Sequence, residues 1–137
     1  MTVPHHAQGA RTARHRLRVE LADAVPAALL ADTMTVAAEL LGNAVRHAAP
    51  LPGGTVRLSW RLRDDPTGHL VEIRVTDGGA GVTPRIRQVG PDSADGRGLF
   101  LVAALATDWG VVRDGLGQSV WARLQHPVGC TPEVRGA

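Results

Sequence analysis

The sequence predicts an α+β fold: a two-layer α/β sandwich in which helices cover one face of a mixed, mainly antiparallel sheet. Three observations predict it. Two helix-period segments open the chain, two strands with period-two alternation follow across a short turn, and a wholly apolar run then leads into two more alternating segments. Helices and antiparallel strands in that order bury their apolar sides by stacking as two layers. A length of 137 residues suits one domain. An apolar share of 44% with 20% charged residues supplies enough core to exclude global disorder.

Residues 1–10 read as a flexible arm. Residues 11–25 predict a helix, with Leu17, Leu21 and Val25 at helical spacing. Pro26 interrupts it and can open the next helix, which runs from about Ala27 to Ala48 and is rich in the strong helix formers Ala and Leu. Pro50, Pro52, Gly53 and Gly54 make a loop. In TVRLSWRLR, Val56, Leu58, Trp60 and Leu62 point one way and Arg57, Ser59, Arg61 and Arg63 the other. In LVEIRVTD, Val71, Ile73 and Val75 alternate with Glu72, Arg74 and Thr76, and the turn at 64–68 joins the two as an antiparallel hairpin with one wet face. Residues 77–96 are rich in Gly, Pro and Asp and read as a long loop. Arg97 to Thr107 is apolar on nearly every side and predicts a buried helix. WGVVRD and GQSVWARLQ predict two last strands joined around Gly115 to Gly117, and residues 126–137 read as a flexible tail.

Composition excludes several chemistries. All 15 basic residues are Arg. Without Lys there is no Walker A loop, no protein-kinase strand lysine and no lysine Schiff base. Any phosphate must be held by Arg, backbone N–H groups and a metal. The single cysteine, Cys130, allows no internal disulfide and no multi-cysteine metal site, which suits a reducing compartment. With no signal-like start and no apolar run of roughly 18 residues, the expectation is a cytoplasmic protein with no membrane contact. The net charge of +2 is small, although Arg11, Arg14, Arg16 and Arg18 cluster before the first acid, Glu20.

Three constellations can carry chemistry. In AAELLGNAVRHA, Glu39, Asn43 and His47 are spaced i, i+4, i+8 and form one stripe on the second helix. A polar stripe is ordinarily a solvated side. An amide oxygen is also a hard ligand suited to Mg²⁺, and a carboxylate one turn away can orient or deprotonate a hydroxyl. In VTDGGAGV, a strand ends at Asp77 and Gly78, Gly79 and Gly81 follow, so a carboxylate sits where backbone can approach a base. A tight turn reads equally from these residues, but no alternating partner strand follows. In DGRGLFLVAALA, Gly96, Arg97 and Gly98 precede an apolar helix whose free N–H groups favour phosphate.

In order and spacing, AELLGNAVRHA, VTDGGAG and GRGLFLVAALATDWGV resemble the N, G1 and G2 boxes of the Bergerat-type (GHKL) ATPases, histidine-kinase-like domains. Within that superfamily the chain is most similar to small anti-sigma-factor serine kinases of the RsbW and SpoIIAB type, of actinobacterial kind. The resemblance covers about residues 11–125. It implies ATP and Mg²⁺ as cofactors, with Asn43 as metal ligand and Glu39 as the general base of a Ser/Thr kinase. It implies that Asp77 binds the adenine amino group, with Gly79 and Gly81 shaping that wall. Gly96, Arg97, Gly98 and Leu99 would line the phosphate end, and residues 82–95 would form a lid, with Arg85 and Arg87 within it. GQSVWARL resembles the closing strand, placing Ser119 on the adenine side. His47, at the end of the N box, reads as a supporting residue. The implied partners are a sigma factor and an anti-anti-sigma antagonist protein, with a homodimer consistent with the family. Three other readings stay open: a nucleotide-binding interaction module without phosphotransfer, the catalytic domain of a split histidine kinase, and a nucleic-acid-binding protein using the Arg cluster. The low net charge argues against the last.

Overall fold

The computed structural model describes residues 1–79, 94–115 and 117–127. Its elements run β1 (Thr2–Pro4), α1 (Ala7–Leu21), α2 (Ala27–His47), β2 (Thr55–Asp65), β3 (Gly68–Asp77), α3 (Ala94–Leu105), β4 (Asp108–Arg113) and β5 (Gln118–Pro127). The five strands form one sheet in the order β1-β2-β3-β5-β4, and every pairing is antiparallel. All three helices lie on one face, so the predicted two-layer α+β architecture holds. α2 is central, packed on β2, β3 and β5, while α1 lies over β1 and α3 over β4.

The alternation in the sequence sets the sheet's two faces. Val56 and Leu58 of β2, Val71, Ile73 and Val75 of β3, and Val120, Ala122 and Leu124 of β5 are buried toward the helices. From α1, Ala13, Leu17 and Leu21 meet them, and from α2, Leu29, Val36, Ala37, Leu40 and Leu41. α2 is long and apolar enough by length and composition to cross a membrane. Its apolar side chains are instead the middle of this core. Burying a Leu side chain stabilises by about 1.5–3 kcal/mol, so Leu29, Leu40 and Leu41 anchor the layer.

Four details differ from the sequence reading. Residues 1–10 are not a loose arm. Thr2–Pro4 add an edge strand to β2, with Val3 opposite Val56, and His6 caps α1 by accepting from the Gly9 N–H at 3.2 Å. An alternating segment of three residues is too short for periodicity to reveal. α1 starts and stops earlier than 11–25, because the residue before Pro26 is pushed out of the helical region, and residues 22–25 turn instead. α3 begins at Ala94, so Gly96 and Arg97 fall in its first turn and Gly98 in its second, rather than ahead of it. α3 is also less enclosed than its apolarity suggests: Leu99 and Val102 are buried, but Phe100 is 44% exposed. The tail beyond residue 127 lies outside the described residues.

Candidate nucleotide site

The stripe on α2 borders its buried side. Glu39 and Asn43 are half-buried and His47 is exposed. At about 100° per residue, both side chains point away from Met34, which lines a surface cleft with Arg11, Arg14, His15 and Arg18 of α1. α1 and α3 flank α2 on opposite sides. Glu39 and Asn43 therefore project on the flank shared with α3. Asp32 confirms the direction: it lies two turns before Glu39 and three before Asn43 on that flank and reaches His126 of β5 at 3.3 Å. Asn43 Oδ1 accepts from an Arg46 guanidinium N–H at 3.2 Å, so its carbonyl end points outward from the helix.

Asp77 ends β3 on the helix-facing side and is 3% exposed. Burial raises its carboxyl above the usual range, opposed by the Gly79 hydrogen bond and by the charge of His5. One oxygen, Oδ1, accepts the Gly79 N–H at 2.6 Å. The other has no protein hydrogen-bond partner among the described residues and is open to a donor. Gly79 turns the chain at φ +88, a conformation that L side chains rarely adopt, and the space beside it is empty.

The ends of α2 and β3 are joined directly. Ala49, just past α2, donates to the Gly79 carbonyl at 2.9 Å, and Gly78 donates to the Ala49 carbonyl at 2.7 Å. A Cβ on Gly78 would strike the Pro50 carbonyl, so the close approach requires glycine. His5 adds a third tie: its Nε2–H donates to the Ala44 carbonyl of α2 at 2.8 Å. The Asn43 turn, Asp77 and the flank covered by α3 thus share one end of the helix–sheet layer.

The closing strand corrects one expectation. In the β3–β5 register Asp77 faces Gln118, while Ser119 faces Thr76 on the other side of the sheet, hydroxyl to hydroxyl at 2.8 Å. Gln118, not Ser119, stands beside the acid. It is 2% exposed, and its Oε1 finds no hydrogen-bond partner among the described residues. A buried acceptor left unmade is costly, which marks a place where a ligand donor or a water belongs. Sequence reasoning missed Gln118 and His5. For Gln118 a signal existed, since it shares parity with Val120, Ala122 and Leu124. His5 had none. Leu99 is buried on α3 at 3% exposure, while Gly81, Arg85, Arg87 and the lid up to residue 93 lie outside the described residues.

The family model of the histidine kinase-like ATPase domain matches residues 3–124. The chain belongs to that family. No curated protein matches it. In a histidine kinase-like ATPase domain this geometry has a ready meaning. Family membership implies ATP binding, generally with Mg²⁺, and the residues present suit both. A buried acid and a buried amide, each with an oxygen that has no hydrogen-bond partner among the described residues, are acceptors of the kind a purine amino group can use. The Asn43 amide oxygen is a hard donor of the kind Mg²⁺ prefers.

Proposed function

We propose that the chain is an ATP- and Mg²⁺-dependent serine/threonine protein kinase that phosphorylates a small antagonist protein and, by alternation with it, sequesters a sigma factor in the cytoplasm. Membrane and nucleic acid have no part in this reading. The observation that carries it is Glu39: a half-buried carboxylate one turn before Asn43, on the flank of α2 that faces α3. A carboxylate one turn from an amide suited to Mg²⁺ is placed to take a hydroxyl proton.

Asp77 and Gln118 form the base-recognising wall, with the Gly79 N–H fixing the Asp77 carboxylate. Asn43 holds the metal, which requires Arg46 to release its oxygen. Arg46 is exposed, so solvent can replace this bond. The first turn of α3, with Gly96 and Arg97, would turn its backbone N–H groups and positive dipole end to phosphate. Bound ATP with its Mg²⁺ supplies the transferable phosphoryl group and neutralises its charge. Glu39 would accept the proton of the antagonist's hydroxyl as that oxygen bonds to the γ-phosphorus, the bond to the β–γ bridging oxygen breaks and ADP leaves, with no covalent intermediate on this chain.

Incubation with γ-labelled ATP, Mg²⁺ and a Ser-containing antagonist tests this reading. Acid-stable label on the antagonist is expected, and Glu39→Gln should cut the rate by about 10²–10⁴-fold while leaving ATP affinity intact. Acid-labile label would point to a histidine acceptor. Absence of label at saturating ATP would leave a binding module.

A further inference from the structure

The sheet face turned away from the helices has a chemistry of its own. β2 places Arg57, Arg61 and Arg63 on it, and β3 adds Arg74. Arg57, Arg61 and Arg63 are exposed and Arg74 half-exposed. Among the described residues none of these four guanidinium groups makes a hydrogen bond or ion pair. The carboxylates that could pair with them are already engaged. Glu72 and Asp108 both bind Arg123 of β5, each at 3.1 Å. Asp65 turns back to cap the hairpin, accepting the Thr67 N–H at 2.8 Å and the Gly68 N–H at 3.1 Å. Arg123 in turn lies over the Trp121 ring, 4.9 Å from its centre. One arginine thus engages Glu72 and Asp108 and covers the aromatic ring; Arg57, Arg61 and Arg74 keep no carboxylate partner among the described residues, and Arg63 lies near enough to Asp65 to help lower its carboxyl. Beside them runs an open groove of about 650 Å³ bordered by Arg61, Arg63 and Leu70 and, across it, by Arg123 with its bound carboxylates Glu72 and Asp108.

We propose that this face binds an acidic, extended segment of a partner protein. Arg57 and Arg63 stand about 20 Å apart along β2, and alternate side chains recur about every 7 Å, which is also the repeat of an extended peptide. Guanidinium forks match carboxylates bidentately. Single-stranded nucleic acid suits the face less well. It needs bare aromatic platforms for its bases, and Trp121 is capped, while the Glu72 carboxylate sits among the arginines. A second copy meeting face to face would set arginine against arginine. The proposal does not rest on the kinase reading, because the face lies on the opposite side of the sheet from Asp77 and Asn43.

The test is fluorescence anisotropy of a labelled alternating Glu-Ser peptide with the full chain, at low and raised salt. Binding is expected, weakening with salt because the contacts are exposed. Arg61→Ala/Arg63→Ala should lower peptide affinity about tenfold, as loss of two exposed ion pairs allows. Arg11→Ala/Arg18→Ala, which removes equal charge from α1, should leave it unchanged. Nucleotide affinity of the sheet variant should match wild type, which separates this proposal from the ATP site and shows the fold intact. Equal effects of the two double substitutions, tighter binding of a single-stranded oligonucleotide than of the peptide, or self-association lost on Arg61→Ala/Arg63→Ala would each overturn it.

Discussion

Asp77→Asn separates the geometry of the base wall from its charge. The substitution keeps size and shape, and the Asn carbonyl oxygen can still accept the Gly79 N–H, held at 2.6 Å in the wild type. What then faces the ligand is an amide N–H₂ in place of a carboxylate oxygen. Toward an adenine amino group this turns an acceptor into a donor. A hydrogen bond to a charged partner contributes about 1.5–3 kcal/mol, so ATP should bind roughly ten- to a hundredfold more weakly. Toward the carbonyl of guanine the new donor is favourable, so preference for ATP over GTP should shrink by more than ATP affinity alone. Isothermal titration with both nucleotides measures this. Stability should move the other way. Burial raises the Asp77 carboxyl above 3.8, so its stabilising contribution is complete below that value and is lost as pH rises through the folded pKa. At neutral pH the wild type therefore carries a buried charge that the variant lacks. The melting temperature of Asp77→Asn should equal or exceed that of wild type at pH ~7, and the difference should close on acidification. Unchanged ATP affinity, or a variant that melts well below wild type at neutral pH, would refute the reasoning.

Other outcomes follow from single contacts. Asn43→Ala should abolish the Mg²⁺-dependent increment of ATP affinity and spare the metal-independent part, read by titration with and without Mg²⁺. Gly117→Ala would push a methyl group into the Asp77 carbonyl, so it should cost about 1–3 kcal/mol in chemical unfolding and weaken ATP binding as well. Leu41→Ala, at a wholly buried position on α2, should cost about 2–5 kcal/mol and lower the melting temperature without changing nucleotide preference.

Much of this fold is written in periodicity. The hairpin of β2 and β3 reads directly, because one face is buried and the other wet. A slip of one residue would reverse every side chain. α2 reads as a helix because Pro26 opens it and Ala and Leu fill it. Short or two-sided signals fail. The three residues of β1 carry no period, so the strand appears only once Val3 is seen opposite Val56. Gly96 and Gly98 read as a loop, yet the helix takes them in from Ala94, because the apolar stretch beyond stabilises the helix against its weak formers. Residue type and spacing single out Glu39, Asn43 and Asp77, and the structure sets the Asn43 turn and Asp77 at one end of the helix–sheet layer. Ser119 was placed by analogy to a closing strand, whereas strict alternation along β5 would have named Gln118. His5 joins the site through a long-range contact that no local pattern announces.

The reciprocal bonds between Ala49 and the Gly78–Gly79 pair bear on how this cleft can move. The helix end that carries the amide and the strand end that carries the acid are clasped by two backbone bonds, 2.7 and 2.9 Å long, with no side chain in the joint. Mutation of neighbouring residues cannot easily loosen such a joint. The Asn43 end of α2 and the Asp77 end of β3 therefore move as a single jaw. A partner that strains α2 would therefore be felt at Asp77 without any rearrangement of the strands.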